Sequence, residues 1–310
     1  MDIIDPQKGE ATPNEVFFSV IVPIYNSSRF ISRCICSILA QSFVNWEAFF
    51  LDDCSTDNTV SIVRALIDDR CQLIENNINR GPSVLRNMGI LMSRGKYIVI
   101  LDSDDWMAHN RLQVFYELIM EKGEYTLVAD QYLFVGEKHY WKFPNLSNLD
   151  RTISASEFIK HDLGSLQPVM NREFLINHNI SYNETIRFAE DFDIYLRILA
   201  KCGSYYLMSQ PLYYRQFRAD SLSRQGESAN LTKRELSKSY FPLFSSKKTI
   251  RLLQLRIRKT YYADFKIAIS AKRYQHALWL LIRKRLSVEV LRSIILRVFG
   301  NKYKQLVRID

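Results

Sequence analysis

Several signatures of nucleotide and metal proteins are missing from this 310-residue chain. No GxGxxG occurs, which excludes a dinucleotide dehydrogenase, and Gly95-Lys96 has neither the upstream glycine nor the following hydroxyl of a phosphate loop. The first apolar run, SVIVPIYNSSRF, contains no glycine, whereas a nucleotidyltransferase carries a glycine-rich basic loop at that point. Five cysteines (Cys34, Cys36, Cys54, Cys71, Cys202) form no CxxC pair. A zinc site is therefore not expected, and a reducing, cytoplasmic setting is. No apolar stretch reaches the roughly 18 residues of a membrane span. The polar opening MDIIDPQKGEATPNE does not read as a secretory signal, and residues 1–17 are expected to form a loose leader.

The net charge of +9 is unevenly spread. Residues 247–310 carry 17 Lys and Arg against only Asp264, Glu289 and Asp310, so the rest of the chain is acidic on balance. Such asymmetry points to a negatively charged partner for the tail. Its charges alternate with long apolar residues rather than forming a separate basic stripe, so nucleic acid is not the expected partner. An anionic membrane surface is one fit, since each Lys or Arg near an anionic leaflet contributes about 1 kcal/mol, and a packed helical appendage whose apolar stripes face inward is the other.

A hydrophobic content of 47% and this length suit one large domain with an appendage. Apolar runs at 18–24, 46–51, 71–75 and 97–101 read as strands, and helical periodicity follows at 29–41, 59–67 and 83–93. Strand and helix alternation predicts an α/β fold with a mostly parallel sheet, whose ligands bind beyond the strand carboxyl ends. A strand over 125–135, a helix over 192–202 and a strand over 205–214 interrupted by Pro211 are expected next. Residues 215–230 read as a mobile loop or linker, and the pattern is helical from about Leu243 onward.

Carboxylates gather where strands end. Ile98 to Leu101 run into Asp102-Ser103-Asp104-Asp105, and Trp46 to Leu51 into Asp52-Asp53. Adjacent carboxylates repel and are poor strand formers, so the local cost calls for a reason. Hard oxygen donors at a sheet edge suit a divalent cation bridging to phosphate, although an acidic turn capping a helix from about Met107 would look similar. A carboxylate also accepts the imide N–H of uracil, which cytosine lacks. Tyr25, behind Pro23, offers an aromatic face for a base. Arg86 can grip phosphate or the pocket's own aspartates in a forked geometry.

In order, SVIVPIYN (19–26), LDDCSTDNT (51–59), NRGPSVLRNMGI (79–90), GKYIVILDSDDW (95–106) and RFAEDFDIYLRIL (187–199) resemble glycosyltransferase family 2. The resemblance covers residues 18–225 and leaves 226–310 as linker and basic helical region. It implies a GT-A fold and transfer of a sugar, with inversion, from a nucleotide-diphosphate sugar. By resemblance, Asp53 is the uracil ligand with Asp52 beside it, and Pro23, Tyr25, Arg86, Asp102 and Ser103 line the nucleotide-sugar site. Asp104, with Asp102, would bind Mn2+ or Mg2+. Asp191 takes the position of the catalytic base and Glu190 that of its neighbour, while Asp105 and Trp106 would face the sugar or acceptor.

The expected donor is a UDP-sugar, and the expected acceptor a saccharide or polyprenyl-linked saccharide of polysaccharide assembly. Two departures bear on that side of the site. A histidine common after the tyrosine-arginine of the last strand is absent from Tyr214-Arg215-Gln216-Phe217, and Gln167 stands where many relatives have lysine before Pro168. The QxxRW of processive synthases is also absent, which favours single additions. The alternatives to a transferase are a nucleotidyltransferase and an inactive binding protein on the same fold.

Overall fold

A computed structural model describes residues 16–136, 140–217 and 226–283. The leader up to residue 15, residues 218–225 of the linker and the chain beyond residue 283 lie outside the described residues.

The chain divides into two compact units, one holding residues up to 185 and 190–218, the other residues 186–189 and the chain from 219 onward. The first unit is built on one sheet. Its elements begin with β1 (Phe18–Ile24), α1 (Ile31–Leu39), β2 (Trp46–Asp52), α2 (Thr59–Leu66), β3 (Cys71–Glu75), α3 (Pro82–Met92) and β4 (Tyr97–Ile100). There follow β5 (Trp106–Met107), α4 (Arg111–Lys122), β6 (Leu127–Val135), β7 (Tyr140–Phe143), β8 (Arg151–Ser154) and α5 (Ala155–His161). Then come β9 (Val169–Asn171), α6 (Arg172–Asn177), α7 (Glu190–Cys202) and β10 (Ser204–Gln216).

The sheet order is β3-β2-β1-β4-β9-β6-β10-β5, with β7 beside β6 and β8 beside β10. β3, β2, β1 and β4 run parallel, as the buried apolar runs predict. Beyond them the sheet is mixed, because β9 is antiparallel to both β4 and β6. In β1 every residue but Pro23 is buried, and α1 covers the sheet with Ile31, Cys34, Ile35 and Ile38. Each such fully buried aliphatic side chain contributes about 1.5–3 kcal/mol. Gly95 is required where the α3–β4 turn meets β1, since a Cβ there would lie 2.6 Å from the Ser19 backbone nitrogen.

Three expectations shift. The helix placed near Met107 starts at Arg111, because Trp106–Met107 pairs antiparallel with Tyr213–Tyr214 of β10. Glu190 and Asp191 lie inside the first turn of α7 rather than ahead of it. Arg215 and Gln216 belong to β10, and Asn230 to a helix, so the linker is shorter than 215–230.

A buried ion pair joins three segments of the first unit. Arg111 on α4 donates from Nε and Nη2 to Asp130 on β6 at 3.0 and 2.9 Å, and from Nη2 to the Gln167 carbonyl at 2.6 Å. Both side chains are fully buried.

The second unit is helical: α8 (Gly226–Ser239), α9 (Lys247–Ser270) and α10 (Tyr274–Arg283). Phe265, Ala268, Ala277 and Leu280 form an apolar core between α9 and α10. Asp264 is buried on α9 and accepts from Arg234 and, at 2.7 Å, from Asn230, both on α8. No described helix is long and apolar enough to cross a membrane.

Candidate active site

β1, β2 and β4 are parallel, so their carboxyl ends share one edge, and the carboxylates singled out in the sequence converge there. At the β2 end, Asp53 is buried and its carboxylate accepts the backbone N–H groups of Arg80 and Gly81 at 2.7 and 2.9 Å. Gly81 takes φ +85°, which explains glycine in this turn. Asp52 accepts from the Ser55 N–H at 2.9 Å, but its buried Oδ1 has no hydrogen-bond partner. Tyr25, 51% exposed, lies just past β1. Asn26 ties the ends of β1 and β2 together, accepting from the Thr56 N–H at 2.8 Å and donating its own N–H to Ser55 Oγ at 2.9 Å. Asp57 joins in, accepting from the N–H groups of Ser28 and Thr59.

At the β4 end, Ser103 Oγ lies 2.7 Å from Ser27 Oγ, linking that turn to the β1 loop. Arg86 from α3 is the hub of the site. Its side chain is 4% exposed and donates to Asp102 Oδ1 at 2.9 Å and to Glu190 Oε1 at 3.0 Å, with Asp191 Oδ1 at 3.6 Å. Residues 16 and about 104 positions apart in the chain thus share one cation. The Tyr182 ring lies 5.2 Å from the same guanidinium. Burial weakens the hold of solvent on the Asp191 charge and pushes its carboxyl up to about 7, against the pull of Arg86. Its Oδ1 is shielded yet has no hydrogen-bond partner. The first turn of α7 favours the acidic cluster through the helix dipole. Asp193, in the same turn, is ion-paired with Arg197 one turn on, at 2.5 Å.

Asp105 is different in kind. It is buried, accepts from Tyr213 Oη and the Gln216 N–H at 2.8 Å each, and its carboxyl is raised by burial and by the charge of Asp104. It braces β10 against the β4 end rather than lining an open pocket, which corrects its expected place facing sugar or acceptor. Trp106 is only partly buried and lies between Tyr214, stacked at 5.4 Å, and the Arg33 guanidinium at 3.5 Å. Arg33 also donates to the Asp104 carbonyl at 3.2 Å.

Four contributors were not among the residues picked from the sequence. Ser27, Arg33 and Tyr182 enter only through the fold. Gln167, noted solely as a departure, sits 3.4 Å from Asp102 Oδ2 through its amide nitrogen and accepts from Tyr195 Oη on α7. Arg215 is the third side chain at the Asp102 carboxylate, after Arg86 and Gln167, and lies 3.9 Å from both Asp102 and Asp105.

The donor set was tested against a divalent ion. Among the described residues no three His, Cys, Asp or Glu side chains converge to hold an ion by themselves. Two strand-end carboxylates, Asp102 and Asp104, are nonetheless a donor set that Mg2+ or Mn2+ accepts when phosphate oxygens and water complete the shell. Asp102 and Asp104 present their carboxylates at the β4 end, where Arg86 and Arg215 both take up the charge of Asp102. The residues fit such an ion.

The sequence model of Glycosyl transferase family 2 matches residues 19–190. The succinoglycan biosynthesis protein ExoO of Rhizobium meliloti is 32% identical over 232 residues, which span 71% of this chain and 66% of ExoO. The chain thus covers just under two thirds of that relative. An Escherichia coli protein named as the UDP-Glc:alpha-D-GlcNAc-diphosphoundecaprenol beta-1,3-glucosyltransferase WfgD is 27% identical over 60% of this chain and 71% of its own length. Among solved structures, TarS 1-349 of S. aureus in complex with UDP-GlcNAc superposes with a TM-score of 0.63 over 80% of this chain and 72% of that one. At 20% identity that likeness speaks for the fold alone, a GT-A arrangement.

Proposed function

Because the chain belongs to glycosyl transferase family 2, we propose that it transfers a sugar, with inversion, from a UDP-sugar to a saccharide or polyprenyl-linked saccharide in polysaccharide assembly. The observation that carries the reading is the buried Arg86, which joins Asp102 of the strand-end cluster to Glu190 and Asp191 on α7. The names of ExoO and WfgD support the acceptor class, and that of WfgD supports a UDP donor.

Uracil stacks on Tyr25 beyond Pro23, and its imide N–H goes to the Asp52–Asp53 pair. Each Asp53 oxygen retains a lone pair after its one backbone contact, and Asp52 Oδ1 has no partner at all. Ser103 and Asp102 hold the ribose and diphosphate side. Asp104 and Asp102 would hold Mn2+ or Mg2+. Such an ion, when bound, offsets the charge that develops on the leaving diphosphate.

Asp191 acts as base. It takes the proton of the acceptor hydroxyl while that oxygen attacks the anomeric carbon on the face opposite the departing UDP. Its raised pKa makes it a stronger base than an exposed aspartate while still largely ionised above neutrality. Glu190 takes the direct hydrogen bond from Arg86 Nη1, and Asp191 Oδ1, 3.6 Å from Arg86, is left without one. Arg86 orients all three carboxylates, and Arg215 supplies positive charge in place of the absent histidine. We further propose that residues 18–225 form the catalytic domain and that the basic helical region from 226 onward attaches the enzyme peripherally to the cytoplasmic face of an anionic membrane.

Replacing Asp104 with alanine tests the metal-dependent donor site. Transfer should be lost, together with the thermal stabilisation that UDP and Mn2+ confer jointly, while the circular dichroism spectrum is unchanged. Near-full activity of Asp104→Ala, or activity indifferent to chelators, would overturn it.

A further inference from the structure

An aromatic ladder beside the site has no place in the donor chemistry. β6 runs the same way as β4, since both are antiparallel to β9, so its carboxyl end rises at the edge that carries Asp102. Val99, Val169 and Val128 are in register, which puts Gln131 level with Asp102. At about 3.3 Å per residue, Phe134 then stands about 10 Å beyond the carboxylates. Here the β6–β7 pair stacks Tyr132 on Phe143 at 5.1 Å and Phe134 on Trp141 at 4.9 Å. Phe217, just past β10, meets Trp141 at 5.6 Å with the rings inclined by 67°.

Cross-strand ring pairs stabilise hairpins, and this accounts for Tyr132 and Phe143. It does not require the outermost rings to stay open, yet Trp141 is 44% and Phe217 37% exposed. The ladder is also continuous with the site. Arg215 lies 5.7 and 6.0 Å from the Tyr132 and Phe134 rings, and its other side reaches Asp102 at 3.9 Å.

We propose that Trp141 and Phe217 form a stacking platform for a pyranose ring of the saccharide acceptor, and the assignment rests on the glycosyltransferase reading. Axial C–H groups of a sugar face carry partial positive charge and pack on the negative face of an aromatic ring. The uracil base is not the occupant. Tyr25 follows β1, three strands from β6 in the sheet order, or about 14 Å at the usual strand spacing. A polyprenyl chain calls for a continuous apolar trough, whereas this ladder is interrupted by a charge, the Arg215 guanidinium 6.0 Å from the Phe134 ring on which Trp141 stacks. Aromatic faces with a few placed polar groups are the usual lining of a small-molecule subsite.

The test is saturation-transfer NMR on the full chain with millimolar lactose and chitobiose, using wild type, Trp141→Ala and Trp141→Phe. Thermal shift with UDP and Mn2+ is read on the same samples. The expected result is saturation of ring C–H protons of at least one disaccharide, reduced at least fivefold in Trp141→Ala and largely kept in Trp141→Phe. The UDP response should be equal in all three. No saturation in the wild type, equal saturation in wild type and Trp141→Ala, or saturation of farnesyl phosphate methyls in place of the sugars would overturn the platform. A lost UDP response with Trp141-dependent sugar saturation intact would instead count against the donor reading and leave the platform standing.

Discussion

Asp191 carries the sharpest residue-level consequences, because its carboxyl is held near neutrality by burial. A base must be ionised to accept a proton, so turnover should rise with pH through about 7 and level off above it. Stability should move the other way. The folded state keeps a proton that the unfolded chain releases at an ordinary aspartate pKa. The contribution is therefore present in full below that pKa and is lost as pH rises through about 7. Asp191→Asn should remove the acidic limb of the pH–rate profile and lower turnover by about 100-fold or more, with UDP-sugar binding little changed. Unchanged turnover at saturating acceptor would take Asp191 out of the base role. Weakened nucleotide binding would move it to the donor side. Legibility at this scale was uneven. Asp102 and Asp104 stand out because clustered acids are costly at a strand end, and Glu190 and Asp191 because they fall in a block of the family resemblance. Ser27, Arg33 and Tyr182 are ordinary residues whose importance comes only from what lies opposite them in space.

Among the elements, the join of α4, β6 and the segment before β9 rests on Arg111 and Asp130. A buried ion pair adds little over apolar packing, but removing one partner strands the other charge. Asp130→Ala should therefore destabilise the first unit by about 3–5 kcal/mol in denaturant titrations. Exchanging both residues together, Arg111→Met with Asp130→Leu, should recover much of that loss. A loss of under about 1 kcal/mol for the single change would show that water reaches Arg111. Because Arg111 also holds the Gln167 carbonyl, and Gln167 faces Asp102, this pair supports the candidate site from below. Nothing in the local sequence flags it. Arg111 follows a turn and Asp130 interrupts an apolar strand, and each reads alone as a surface charge.

For the molecule as a whole, the basic excess of the tail becomes a surface in α9. Lys247, Lys248, Arg251, Arg258, Lys259 and Lys266 are exposed along this helix of about 36 Å, and its one acid, Asp264, is buried against Arg234. Truncation near Ser245 would remove Asp264 and leave Arg234 on α8 without it, so substitution is the cleaner probe of membrane attachment. The full chain should co-sediment with phosphatidylglycerol vesicles at low salt and be released as salt rises. Changing Lys248, Arg251, Arg258 and Lys259 together to glutamate should abolish that binding while UDP binding persists. Equal sedimentation of the two proteins would leave α9 as a partner surface or a solvated face. Residues 284–310 lie outside the described residues and do not enter this prediction.

The strands β1 to β4, the helices between them and the carboxylates at their ends followed from the sequence alone. Their signals are local: apolar runs of strand length, helical periodicity, and charge where neither pattern tolerates it. The family followed for the same reason, since its blocks are short segments in fixed order. Tertiary structure decided what depends on pairs distant in the chain. It turned the sheet mixed at β9, drew Trp106–Met107 into β10, and placed Asp105 under the site as a brace. It also gathered Asp102, Glu190 and Asp191 around Arg86. Such contacts depend on which surfaces meet after the sheet forms, and no window of neighbouring residues contains that information.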